Sequence, residues 1–231
     1  MNRPVRKKQI PNLQQAIKET AWKQIAECGA PALSLRAIAR ALRITAPAIY
    51  NYFPDRDALV TALIIDAFTS FGDSQLKAQR SVPAEDLVGR LRAIGIAYRN
   101  WAHAHPQRYQ LIFGTPVPGY EAPLDRVFPS SARSIMALFS TVESLRAAGR
   151  LAVDAFPTVQ EKYQAHADLW RAQIGVMHPL THFVAMVIWA RVHGVVSLEI
   201  QGNLPLFGKR GDELYLHEID SITRQFIREG R

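Results

Sequence analysis

Thr45-Ala46-Pro47-Ala48-Ile49-Tyr50-Asn51-Tyr52 is the segment whose side chains are best suited to chemistry, and that chemistry is contact with a polymer rather than bond breaking. Ala46, Pro47 and Ala48 are small enough to allow close approach, with apolar faces that match thymine methyl groups. The Asn51 amide can pair with a base edge or hold a phosphate. Thr45, Tyr50 and Tyr52 carry hydroxyls suited to phosphate oxygens, contacts that position a protein without selecting sequence. Tyr50 has a second reading as a core aromatic, and Phe53 is read as core outright.

Other reactive residue types are present but not arranged for catalysis. His103 and His105 stand two apart, on different faces of a helix; His178 and His182 have helical metal-pair spacing, but Pro179 marks a helix start between them. No Cys or carboxylate cluster supports them, so no metal and no cofactor is expected. There is no Gly-x-Ser-x-Gly elbow, Gly-rich phosphate loop or metalloprotease helix, and no enzyme activity is expected. The aromatics Tyr98, Trp101, Tyr109, Phe113, Phe139, Trp170 and Trp189 have two readings, ordinary core or the wall of a pocket between helices. In the second, His193 and Tyr109 would orient a small apolar ligand; in the first, His193 is a packing histidine.

The elements that must position these groups are helical. Asn12 can cap a first helix, with Gln15 placed to reach back, and Leu13, Ile17, Ala21, Ile25 and Cys28 form its apolar face up to Gly29. On that face Cys28 is expected to be a small buried residue. Ser34 caps a second helix whose Leu35, Ile38, Ala39 and Leu42 make one stripe. Thr45 caps a third, Ala46 to Tyr52, ended by Pro54. Two short helices joined by a tight turn make a helix-turn-helix, whose second helix can enter a major groove. Asp55 opens a fourth helix running to a break at Ser81-Val82-Pro83, followed by helices near Pro83 to Ala104 and Pro106 to Phe113. Residues 114–123, with three prolines and two glycines, form a loop. Helices follow near Ser130–Ala148, Thr158–Ile174, Pro179–Ile200 and Asp212–Glu229, so the chain is expected to be all-α with nine or ten helices.

Charge points to the same segment. Of 28 Lys/Arg and 20 Asp/Glu in 231 residues, ten and four fall in the first 60, placing six of the eight excess positive charges there. That is the footprint of a phosphate-facing surface. Arg3, Arg6, Lys7 and Lys8 lie in an aperiodic basic arm over 1–11, either a phosphate contact or a solubilising tail. The apolar stretch near Phe183 to Ile200 is interrupted by Arg191, His193 and Glu199 and reads as a buried helix. No membrane partner and a cytoplasmic location are expected.

Ile38-Ala39, Thr45, Ile49-Tyr50-x-Tyr52-Phe53 and Arg56-Asp57-x-Leu59 together resemble the DNA-binding domain of TetR-type transcriptional regulators. Arg43 replaces the glycine usual in that family's turn. The resemblance implies that Arg36 and Arg56 also face DNA. Tyr98-x-x-Trp101-Ala102-x-x-His105-Pro106-x-x-Tyr109-x-Leu111-Ile112-Phe113 and Trp189-x-x-x-His193-Gly194 resemble the family's C-terminal domain named for its Trp, His and Gly. The implied organisation is a DNA-binding domain over 12–58 and an effector and dimerisation domain over 59–231. The implied protein is a homodimeric repressor, released from a near-palindromic operator on double-stranded DNA by a small apolar effector. Two alternatives are a non-specific architectural nucleic-acid binder and an enzyme using the C-terminal cavity.

Overall fold

A computed structural model describes residues 11–152, 175, 178–204 and 211–228. The basic arm, all but its last residue, lies outside them, as do the expected helix Thr158–Ile174 and Trp170. Among the described residues are nine α-helices: α1 Leu13–Cys28, α2 Leu35–Leu42, α3 Ala46–Tyr50, α4 Arg56–Arg80, α5 Leu87–Ala104, α6 Pro106–Phe113, α7 Leu124–Ala147, α8 Pro179–Ile200 and α9 Asp212–Phe226. A 3₁₀ turn, Ala30–Ala32, follows α1, and Leu151 makes an isolated antiparallel bridge with Ile227.

The caps explain where most helices begin. Asn12, Ser34, Asp55 and Asp86 each accept the backbone N–H three residues on, satisfying one of the donors left free in a first turn. Asp86 therefore starts α5 at Leu87, four residues later than Pro83 suggested. Gln15 bonds Glu19 rather than reaching back to Asn12, so the expected capping box is half formed. Thr45 makes no capping bond. Helix α7 begins at Leu124, six residues before the expected Ser130, and runs through Pro129. The proline forfeits one helical bond, but the added turn places Val127 in the N-terminal core. Cys28 is exposed, against expectation. It lies on the side of Ile25 but is the last residue of α1, one turn beyond the buried Ile25.

Two cores form, and α4 serves both. Ile17, Ala21, Ile38, Ile49 and Phe53 pack with Leu59, Leu63 and Ile64 at the start of α4. Further along, Ala67 and Phe71 join Leu91, Tyr98, Phe139, Val184, Ile188 and Tyr215 in the larger core. The division expected at residue 58 thus falls beside the first turn of a helix common to both cores. Helix α4 lies between α5 and α7, and the approach to α7 is close at Gly72. A Cβ there would stand 2.8 Å from the Ser134 Cα, a backbone atom that cannot swing aside.

Glycine inside a helix normally costs up to about 1 kcal/mol relative to alanine, so relief alone would stabilise a Gly72→Ala variant. The backbone contact reverses the sign: Gly72→Ala is expected to lose about 1–3 kcal/mol in urea unfolding. A variant at least as stable as the parent would show that α4 and α7 have room to spare.

Candidate DNA-binding surface and ligand cavity

The helix-turn-helix is built on the Arg43 turn. Arg43 has φ 54° and ψ 40°, the left-handed conformation that glycine adopts without steric cost. Its N–H bonds the Arg40 carbonyl and the Ile44 N–H bonds the Ala39 carbonyl, closing α2. Without glycine the conformation costs about 1 kcal/mol, which the packing of Ile38 and Ile49 offsets. Helix α3 ends at Tyr50, two residues earlier than expected, because the N–H groups of Tyr52 and Phe53 both turn back onto the Ile49 carbonyl. Asn51 is therefore the cap of α3, not part of it.

Burial sorts the segment by face. Ile49 and Phe53 are sealed in the core, while Tyr50 and Tyr52 are 43% and 46% exposed, so Tyr50 is a surface residue. Arg36, Thr45, Pro47 and Asn51 are exposed beside them, with Ala46 and Ala48 half-buried. Arg40 was not singled out from the sequence, yet Arg36, Arg40 and Arg43 follow at helical spacing opposite the Leu35, Ile38, Ala39 stripe, and all three are exposed. That spacing was the available signal. Arg56 is placed differently. Its guanidinium donates to the carbonyls of Ala30 and Pro31 at 3.4 and 3.3 Å, tying α4 to the 3₁₀ turn. It still borders a surface hollow with Ser34, Arg36 and Tyr50, where the starts of α2 and α4 converge.

In the larger domain a mainly apolar cavity of about 90 Å³ lies among α4, α5, α6, α7, α8 and α9. Tyr98, Phe113 and Trp189 line it, as do Phe71, Gln75 and Leu138, which the sequence reading had not singled out. Gln75 follows Leu63, Ala67 and Phe71 in steps of four on the buried face of α4, so a polar residue on that stripe was a legible signal. Trp101, Tyr109, Phe139 and His193 are not on the wall. Trp101 packs on Phe71 and donates from Nε1 to Ser70 Oγ at 3.0 Å. Phe139 is fully buried and stacks on His182.

Tyr109 and His193 stand one layer behind. The His193 Nδ1 lies 2.8 Å from the Tyr98 hydroxyl and 3.1 Å from that of Tyr109; Ser197 Oγ lies 2.8 Å from Tyr109 and 3.2 Å from His193 Nε2. Burial pushes both tyrosines above the ordinary phenol range and lowers His193, so the network joins protonated hydroxyls to a neutral imidazole. The His193 ring stacks on Trp189 at 4.8 Å and meets Phe113 edge-on, linking the network to the cavity wall.

Residues 17–63 match the family model described as bacterial regulatory proteins, tetR family, and residues 91–222 match the tetracyclin repressor-like C-terminal domain. The chain is 35% identical over 191 residues to an HTH-type transcriptional regulator of Mycobacterium tuberculosis, covering 80% of each. Its structure resembles that of regulatory protein SCO4313 with a TM-score of 0.73, at 36% identity and covering 92% of this chain and 98% of that one. A TetR from Acinetobacter baumannii, solved in complex with minocycline, shares the fold at 18% identity, with a TM-score of 0.50 over 91% of this chain and 90% of that one. The chain therefore belongs to the TetR family of transcriptional regulators: a DNA-binding helix-turn-helix protein and not an enzyme. The C-terminal match is to the tetracyclin repressor-like domain, whereas the Trp189, His193, Gly194 pattern resembles a differently named domain of the same family.

Burial also lowers His182. Both histidines are neutral when folded, while the unfolded chain takes up protons near the ordinary value of about 6.5. The unfolded state then binds more protons, so stability is complete above that pH and is lost as pH falls toward the folded values. Urea midpoints are expected to drop between about pH 7.5 and about pH 5.5, and less so in His193→Gln. An identical drop in that variant would remove His193 from the linkage.

Proposed function

We propose that this chain is a homodimeric repressor that binds a near-palindromic operator and leaves it when a small apolar molecule occupies the C-terminal cavity. The work is divided between a basic arm over residues 1–11, a DNA-reading domain over 12–58, and an effector and dimerisation domain over 59–231. Its target places it in the cytoplasm. The observation that carries DNA reading is the exposed face of the helix-turn-helix. Tyr50, Asn51 and Tyr52 project beside small Ala46, Pro47 and Ala48, and Arg36, Arg40 and Arg43 make no ion pair among the described residues. Arginines and hydroxyls then hold phosphates on either side of the inserted helix, with Thr45 free of its capping role. Arg56 acts mainly by holding the frame.

The cavity reading draws support from its size and its neighbours. Pockets that bury drug-sized ligands measure about 300–1,000 Å³, so a cavity of 90 Å³ admits a larger molecule only by moving its walls. Inverting a DNA-bound population from 99:1 requires a preference of about 5.5 kcal/mol. Roughly 220 Å² of apolar surface buried in one state only would supply it. Phe113 is the wall residue that conveys the movement. It belongs to α6, whose Arg108 lies over the Trp22 ring of α1, 5.2 Å from its centroid, and it packs edge-on against Phe68 of α4. Displacing α6 thus presses on both helices that carry the DNA-binding core.

Helix α8 supports the dimer. With a mean hydropathy of 1.6 over its most apolar 18 residues, this 22-residue helix is long and apolar enough to cross a membrane by composition alone, yet Arg191 and Glu199 on it are paired with Glu218 and Arg99. Only 28% of its most apolar stretch is buried within one protomer. Val187, Ala190, Gly194 and Leu198 follow one another at helical spacing on its open side. A helix apolar on all sides requires cover on all sides, and a second copy supplies it.

Selection of bound fragments from a random DNA pool tests the regulator reading. Two half-sites related by a dyad are expected, about one helical turn apart or a small multiple. Asn51→Ala is expected to relax one position by about 1–3 kcal/mol if Asn51 reads a base, and to weaken all sequences equally if it holds phosphate. Fragments with no common sequence would favour the architectural alternative.

A Cβ on Gly194 would meet no atom within 4 Å in the protomer, so Gly194→Leu should leave the monomer's melting intact. In sedimentation that variant is expected to shift from dimer to monomer and to lose DNA binding. A dimer unaffected by the leucine would move the interface elsewhere.

A further inference from the structure

Gln75 is a polar side chain in an apolar wall. It is only 3% exposed, and its neighbours around the cavity include Phe71, Leu91, Ile94, Leu138 and Ile188. Its Nε2 donates to the carbonyls of Ser134 at 3.0 Å and Phe71 at 3.4 Å. Both partners can only accept, so the amide nitrogen must be the atom facing them and the orientation of the group is settled. Oε1 is left with no hydrogen bond among the described residues, on a residue that lines the cavity. The hydroxyls nearby are engaged elsewhere. Ser134 donates to Ser131, Thr223 donates to Ile219, and Tyr98 is held by His193. Among the described residues that line the cavity, no hydroxyl bonds Gln75 Oε1.

We infer that Gln75 makes the cavity selective for a neutral, ring-sized molecule carrying a hydrogen-bond donor, a phenol or a comparable hydroxyl or N–H compound. This rests on the reading of the cavity as the effector site. An acceptor that faces an apolar cavity with no protein partner can take a donor brought by the ligand, so a ligand that carries one gains a bond that an apolar ligand of similar size does not. A carboxylate is disfavoured twice. Its oxygens would face the Gln75 oxygen, and the guanidinium of Arg92 at the rim is already paired with Asp220. Size narrows the class further: an apolar cavity of about 150 Å³ holds benzene, so 90 Å³ suits one ring after a small opening.

The test titrates the purified full-length protein with phenol, anisole, toluene and benzoate, reading affinity by calorimetry and by the shift in melting temperature. Phenol is expected to bind about five- to ten-fold more tightly than anisole or toluene, with benzoate weakest. Gln75→Leu is expected to shrink the preference of phenol over toluene to less than about two-fold; a tie between α4 and α7 alone would lower stability without changing that ratio. The wild-type series decides even if the leucine variant folds poorly, since toluene is close to phenol in size and lacks the donor, while anisole keeps the oxygen without the donor. Equal affinity for phenol, anisole and toluene, or benzoate binding as tightly as phenol, would overturn the inference. If those equal affinities are all abolished by Leu138→Trp, which fills the cavity, the effector-site reading survives and only the role of Gln75 falls. If none of the four binds, both fall.

Discussion

The structure depends on a single helix having to satisfy two cores. Helix α4 is 25 residues long, about 37 Å at 1.5 Å per residue. Its first turns bury Leu59, Val60 and Leu63 under the helix-turn-helix, and its later turns bury Ala67, Phe71 and Gln75 against α5 and α7. A hydrogen-bonded helix does not bend freely, so a displacement near Phe71 is carried to Leu63. The Gly72 contact with Ser134 pins its position against α7 at the midpoint. Any ligand that opens the cavity must act against this one rod.

Two sets of paired polar groups in the larger core restrict how it can open. Glu199, with its side chain fully buried, accepts from Arg99 Nε at 2.8 Å and lies 2.9 Å from His103 Nε2, so α8 is tied to α5. Arg99 continues to Asp212 at the start of α9. Breaking such a pair strands a buried charge and is costly. The Tyr98, His193, Tyr109, Ser197 network ties α5, α6 and α8 at the other side. Between these two fastenings the cavity wall is held by apolar contacts, which deform more readily. Phe113 is the wall residue that belongs to the short helix α6, and α6 rests on α1 through Arg108 over the Trp22 ring.

Much of the DNA-binding half was legible because its signals are local. The Ser34 cap and the Leu35, Ile38, Ala39 stripe are read within a few residues, and the structure has them as expected. Where local reading erred, a neighbouring element decided. Val127 drew α7 through Pro129, Asp86 delayed α5, and Cys28 was left uncovered at the end of α1. The cavity was less legible. Tyr98, Phe113 and Trp189 were found by residue type, but the same rule also chose Trp101 and Phe139, which face other parts of the core.

The amino-acid sequence by itself determined the all-α class, the helix-turn-helix and its charge, because periodicity, caps and turn residues act over distances the chain spans in a few residues. The tertiary structure alone decided which aromatics bound a cavity, and that the Gln75 amide nitrogen is spent on α4 and α7 carbonyls while its oxygen is not. It also decided that Arg56 turns inward to the 3₁₀ turn. The reason is the same in each case. A helical residue's type sets what it can bond, but the rotation and separation of helices far apart in sequence set what it meets.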